Sequence, residues 1–339
     1  MQLYLSHQSA VEMIRHLRTN DPETLAGAHV SSATTPRASI NDLEGLASLG
    51  PTAQRWLSHL RSPIHVLVPD RRQVQHSKRI HAHVCSSPLP RGSFLNLGHD
   101  VFLSRPELTF LQMAARERLS LPKLLMYGME LCGFYGPAED GATNYDCTPV
   151  TSASSIRSFA TRATRVEGAA SARRASRWLA EGSASPMESI VCLLLSLPCA
   201  VGGYGLGTPT LNPPITIRSA SGYKKRYPDL YWENKQGGRA VDVEYQSDFA
   251  HIGVLPLYRD SKRQTELTVG NVTVLPLTKL QVTNADEFDE FARGLARLLG
   301  KRLRLNSGWS SRRYDLRAEL FASFGKGNSR EFEGQMAIF

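Results

Sequence analysis

In the last third of the chain, apolar and polar side chains alternate along two short runs separated by a glycine pair. The first run is Asp229-Leu230-Tyr231-Trp232, and the second is Ala240-Val241-Asp242-Val243-Glu244-Tyr245-Gln246. Successive side chains of a strand point to opposite faces. Leu230, Trp232, Val241, Val243 and Tyr245 therefore share an apolar face, and Asp229, Tyr231, Asp242, Glu244 and Gln246 share the other. Gln236-Gly237-Gly238 between the runs reads as a hairpin turn. A turn centred between Gln236 and Gly237 sets Asp229 opposite Glu244; a centre one residue later sets it opposite Gln246. In both registers the acids lie on one face, and directly opposed Cβ atoms are about 4.5–5.5 Å apart. Carboxylates that close repel unless a positive charge sits between them, and a divalent cation would supply it. On the polar face, Asp229 is expected to contribute little to packing.

The same periodicities predict the remaining elements. Residues 1–5 read as a strand. A helix through Arg18 follows, capped by Ser6 or Ser9, with Val11, Ile14 and Leu17 on one face. Residues 21–41 are rich in Thr, Ser, Ala and Pro and read as a long loop. Helices are expected over 51–60, 106–116, 121–131, 152–164 and 168–181, and strands over 64–68, 79–84 and 101–103, with a loop over 135–149. In the second half, Ser185 before Pro186 marks an N-cap with proline at the first helical position. Glu188 lies in that first turn, where an acid suits the helix dipole. Arg259-Asp260-Ser261-Lys262-Arg263 opens a further helix that ends at Gly270, and an apolar strand runs over 271–276. Phe288, Phe291, Leu295 and Leu298 then recur at helical spacing. The second half thus runs helix, strand, strand, strand, helix, strand, helix.

Composition narrows the class. The 339 residues suffice for two domains at about 100–200 residues each. The net charge of +9 suits a polyanionic partner, of which nucleic acid is the commonest. Between Ser152 and Ala180 lie Arg157, Arg162, Arg165, Arg173, Arg174 and Arg177 against the single acid Glu167. A second basic run holds Lys301, Arg302, Arg304, Arg312, Arg313 and Arg317. Each is either a phosphate-binding surface or a solvated face, and the arginine-rich helices are the stronger candidate. The five cysteines show no paired spacing, so no disulfide framework is expected. No leader follows Met1, and the apolar run 190–201 is shorter than the ~20 residues of a membrane span. A cytoplasmic protein is expected. His81, His83 and Cys85 alternate on one strand face, but no fourth ligand at metal-site spacing follows, so packing or exposure is the reading. Gly202-Gly203-Tyr204-Gly205-Leu206-Gly207 follows a helix, without the strand a dinucleotide loop needs, and reads as a flexible loop.

The sequence Pro228-Asp229, fourteen residues, then Glu244-Tyr245-Gln246 resembles the PD-(D/E)xK hairpin of the restriction-endonuclease-like superfamily. Glu244, Gln246, Ser247, His251, Asp260, Arg263 and Gly270 further resemble, in order, the motifs of its very-short-patch-repair-like branch. An alternative frame takes Asp242-Val243-Glu244 as the acid pair. Gln246 stands where the superfamily usually has lysine. Leu5-Ser6-His7-Gln8-Ser9-Ala10 and residues 101–114 are similar to two segments of the AbiEi-like abortive-infection antitoxins of type IV toxin–antitoxin systems. With only five residues before Ser6-His7, their winged helix is expected to be missing.

The resemblances imply an α/β (α+β) protein. Residues 1–150 would be an N-terminal α+β antitoxin-like region, 151–182 a basic helical connector, 183–303 the restriction-endonuclease-like core with a mixed sheet flanked by helices, and 304–339 a basic tail. They imply a metal site for Mg2+ at Asp229, Glu244 and Glu188, with Gln246 and His251 completing the catalytic set. Lys262, Arg263, Arg157, Arg173 and Arg174 would contact DNA. A cognate toxin or other protein is a further expected partner, and a non-catalytic regulator that keeps the nuclease fold is the alternative.

Overall fold

The computed structural model describes residues 1–37, 39–74, 78–116, 119–138, 142–219, 222–233, 238–246 and 264–324. They belong to two compact units, Met1–Leu131 with Gly136–Leu179, and Cys132–Tyr135 with Ala180–Phe339. Both combine mixed sheets with flanking helices.

The first unit is built on a sheet of six strands: β1 (Leu3–Leu5), β2 (His29–Ser31), β3 (Ile64–Val68), β4 (Ile80–Val84), β5 (Phe94–Gly98) and β6 (Val101–Ser104). Their order is β2-β5-β6-β1-β3-β4. β1 pairs parallel to β6 and antiparallel to β3, and β3 pairs parallel to β4. Leu3, Tyr4 and Leu5 are all buried, as expected of a strand covered on both faces. The Tyr4 ring stacks on Phe102 at 4.8 Å. The helix His7–Asn20 follows at once and buries Ala10, Val11, Met13, Ile14 and Leu17. Ser6 occupies its N-cap position but does not cap it through its side chain, which instead meets the His7 ring at 3.0 Å.

Residues 21–31 hold more regular structure than their composition predicts. Asp21 caps the helix Pro22–Gly27 by accepting from the Thr24 N–H, and β2 pairs antiparallel to β5. The β5–β6 hairpin turns through Gly98, His99 and Asp100, all at positive φ, the backbone that tight hairpins need. The helices Ala153–Arg162 and Ala169–Ala175 lie in this unit, both packed on the helix Pro106–Ala114. Two further strand pieces, β7 (Gly136–Pro137) and β8 (Thr143–Asn144), pair with each other.

The second unit holds a four-stranded sheet of β9 (Thr210–Leu211), β12 (Leu230–Trp232), β13 (Ala240–Gln246) and β14 (Val272–Thr278), in the order β14-β13-β12-β9. A separate ribbon, β10 (Ile215–Ser219) and β11 (Gly222–Arg226), precedes β12. Among the described residues, five strands therefore lie between the helix Pro186–Ser196 and the helical residues 264–269, where the sequence pattern predicts three. Every residue of Pro186–Ser196 is buried, the signature of a core helix. The helix Ala285–Leu298 buries Phe288, Ala292, Leu295 and Ala296; Leu298, expected on that face, is exposed.

The basic run near the C-terminus, expected as a tail from residue 304, is helical over part of its described length. Trp309–Phe324 is a helix, and Arg317 on it is buried over the Phe288 ring. Arg313 lies over Trp309 and pairs with Asp289, to which the Tyr204 hydroxyl also donates. The glycine run 202–207 is a packing seam rather than a flexible loop. A Cβ on Gly203 would lie 2.1 Å from the Leu197 carbonyl oxygen, and one on Gly202 would lie 2.2 Å from that of Arg312. Trp309 closes the seam by donating to the Gly203 carbonyl at 3.0 Å.

Candidate functional site

β12 and β13 pair antiparallel with Leu230 opposite Val243, Tyr231 opposite Asp242 and Trp232 opposite Val241. Continued by one residue, this register sets Asp229 opposite Glu244, the first of the two arrangements the turn allows. Leu230, Trp232, Val241 and Val243 are buried on one face, and Asp229, Glu244 and Gln246 are half-buried on the other. That second face is not uniformly polar. Ala240, Leu267 and Val272 form a buried cluster with Ile215, Tyr231 and Val274 packed against it. Under this cover Asp242 has no exposed surface. Asp242 and Glu233 add to the burial that raises the Tyr231 pKa.

Asp229 is bound into the hairpin, because its Oδ2 accepts the Tyr245 N–H at 2.9 Å. Its own carbonyl accepts the Asn212 N–H at 3.2 Å. Asn212, at φ +48° after β9, also donates through Nδ2 to Glu188 Oε2 at 2.8 Å and to the Gly182 carbonyl at 3.0 Å. It ties the helix that carries Glu188 to the start of the acid-bearing strand. Asn212 precedes Pro213, and an Asn-Pro pair is a turn signal; its linking role has no local signal at all.

The Glu188 carboxylate closes its own helix cap. Oε1 accepts from the Ser185 hydroxyl at 2.9 Å, Oε2 accepts from the Ala184 N–H at 2.9 Å, and Ser185 Oγ accepts from the Glu188 N–H at 3.1 Å. Burial pushes the Glu188 pKa above the usual carboxylate range, the hydrogen bonds from Ala184, Asn212 and Ser185 oppose the rise, and the charge of Glu244 adds to it. The charge of Glu244 therefore reaches Glu188, while each hydrogen bond described at Glu188 is made to its own cap or to Asn212.

The donors suit a hard cation in part. Asp229, Glu244 and the Tyr245 carbonyl carry oxygen atoms of the kind such a cation takes, and Mg2+ is commonly held by one or two carboxylates together with substrate phosphates. Among the described residues no three His, Cys, Asp or Glu side chains are grouped as metal donors. His251, Lys262 and Arg263 lie outside the described residues. Of the arginines in the first unit, Arg157 donates to the Ser176 carbonyl at 2.8 Å and joins its two helices, while Arg173 and Arg174 are exposed.

The first unit gathers histidines that the sequence scatters. His65 stands opposite His81 in the β3–β4 register, and His65 Nδ1 lies 2.8 Å from His83 Nε2. The His7 ring stacks on His83 at 3.5 Å. The His7 backbone sits at φ +48°, with its N–H held by Gln112 Oε1 at 2.9 Å. A cavity of about 250 Å³ opens beside His7, His83, Cys85 and Gln112. Burial first, then the neighbouring histidines and Arg116, lower the pKa values to about 4 for His65, about 3 for His83 and about 2 for His7. These rings are neutral at pH 7.

Among known proteins, no family model, no curated protein and no solved structure matches this chain. No helix among the described residues is long and apolar enough to cross a membrane.

Proposed function

We propose that this chain is a DNA-binding protein whose second unit carries a metal-dependent endonuclease-type site, of the kind found in prokaryotic defence and mobile-element systems. The observation that carries the reading is the pairing of Asp229 and Glu244 on one face of the β12–β13 hairpin, next to a Tyr245 backbone held by Asp229 itself. Asp229, Glu244 and the Tyr245 carbonyl would hold Mg2+, which when bound supplies a more acidic water and charge neutralisation at a phosphate. Gln246, one pleat beyond Glu244 on the same face, would orient the water by hydrogen bonding. His251 would serve as general acid or base, and Lys262 and Arg263 would hold phosphate oxygens. Glu188 would act on this site through its charge and through Asn212. The parallel pairing of β13 with β14 beside the antiparallel β12–β13 hairpin, and the resemblance to the very-short-patch-repair-like branch, support the reading.

The test is cleavage of supercoiled plasmid with Mg2+ or Mn2+. Wild type should nick or linearise the plasmid, and Asp229→Asn should be inactive while binding DNA as well as wild type does. Gln246→Lys should raise the rate. An inert wild type and an inert Gln246→Lys would instead support a non-catalytic, antitoxin-like regulator acting on DNA or on a cognate toxin. Two observations favour that second reading: Gln246 in the usual lysine position, and a Glu188 carboxylate engaged by its own helix cap.

A further inference from the structure

The β10–β11 ribbon has two faces of different character. On the inner face Ile217 is buried and Ile215 packs against the Ala240–Leu267–Val272 cluster. Lys224 donates to Glu266 Oε1 at 3.0 Å and Arg226 Nε donates to Glu266 Oε2 at 3.0 Å, so this face is anchored to the helical residues 264–269. The ribbon register sets Arg218 opposite Tyr223 and Thr216 opposite Lys225. All four of these residues are exposed, and Tyr223 is 80 % exposed. Tyr227, 52 % exposed, follows β11 and leads directly into Pro228 and Asp229. No acid occurs between Ile215 and Tyr227, against the four cations Arg218, Lys224, Lys225 and Arg226.

A lysine on an exposed ribbon commonly guards against strand pairing. A largely exposed tyrosine facing an arginine does not serve that purpose, because it leaves a large ring in water with no packing in return. Cations interleaved with an accessible ring are the side-chain set that binds a nucleic-acid strand: the cations track the phosphates and the ring stacks on a base, whatever its sequence. We propose that the outer face of this ribbon is a DNA-contact surface in which Arg218 and Lys225 meet backbone phosphates and Tyr223 stacks on an unpaired base. The proposal rests on the DNA-binding reading above and adds to it the element that receives the strand. The inner face holds the ribbon to the fold, so DNA contact needs no rearrangement of that anchor.

The test is fluorescence anisotropy of the full chain with a labelled single strand, the corresponding duplex, and inorganic polyphosphate as competitor, at several salt concentrations. Combining Arg218→Gln with Lys225→Gln should weaken both DNAs and make the slope of log K against log salt shallower by about 1.4 on the single strand and about 1.8 on the duplex, the value of two phosphate contacts. Tyr223→Ala should weaken the single strand about tenfold while leaving the salt slope and the competition by polyphosphate unchanged. Circular dichroism melts should match wild type, because all three positions are exposed. DNA affinities unchanged in these variants, with wild type binding well, would overturn the ribbon proposal alone. A wild type that binds neither DNA at low salt would overturn the DNA-binding reading beneath it.

Discussion

Asp229 has a structural task besides the charge it carries. Oδ2 accepts the N–H of half-buried Tyr245, so the side chain supports the hairpin as well as presenting a charge. Asp229→Ala strips a backbone donor of its acceptor and is expected to cost about 1–3 kcal/mol. Asp229→Asn keeps an amide oxygen in place, trading a charge-assisted bond for a neutral one, and is expected to cost less than Asp229→Ala, about 0.5–1 kcal/mol. Urea unfolding of the two variants checks this, and equal losses would deny Asp229 its structural task. The histidines make a second residue-level prediction. Above pH ~6.5 they are neutral in both the folded and the unfolded chain. As pH falls below that, the unfolded chain takes up protons, whereas His65, His83 and His7 resist until about 4, 3 and 2. The unfolded state then binds more protons, so stability falls with decreasing pH across this window. The melting temperature should drop from pH 6.5 toward pH 4, and His83→Gln should flatten the drop; a parallel curve for that variant would exclude the cluster as its source.

Among the elements, the helix Trp309–Phe324 and the glycine seam at 202–207 depend on each other. Gly203 lies so close to the Leu197 carbonyl that an added methyl forces a backbone shift, and overpacking of this kind costs about 1–3 kcal/mol. Gly203→Ala is therefore expected to lower stability by that amount in denaturant unfolding, while Gly294→Ala, with nothing near its Cβ position, should be neutral or slightly stabilising because alanine favours a helix. The arginine-rich helices of the first unit behave differently from the C-terminal helix despite similar composition. Arg313 and Arg317 face inward onto rings and an acid, whereas Arg173 and Arg174 face solvent. Replacing both Arg173 and Arg174 with Gln should make the salt slope of duplex binding shallower by about 1.8 if they meet phosphates. An unchanged slope would leave them as a solvated helix face.

At the level of the whole protein, the charge of +9 and the alternation of the β12–β13 hairpin were legible without coordinates. So were the longer helices and about half of the described strands, since proline, capping residues and apolar period act within a few positions of one another. The two-residue repeat placed Asp229, Glu244 and Gln246 on one face because the pleat of a strand leaves no other choice. What the chain's local pattern could not convey is which neighbour covers each face. Asp242 belongs to the same face as Asp229, yet it is buried: its neighbours across the sheet, Tyr231 and Val274, pack against a cluster that includes Leu267, which the hairpin's own pattern does not announce. His7 and His65 join His81 and His83 only because β1, β3 and β4 lie side by side. Gly203 meets Trp309, and Tyr204 meets Asp289, across gaps of 106 and 85 residues. Periodicity is a property of the backbone and can be read along it, whereas burial, pKa and partnership are set by surfaces that meet only when remote segments fold together.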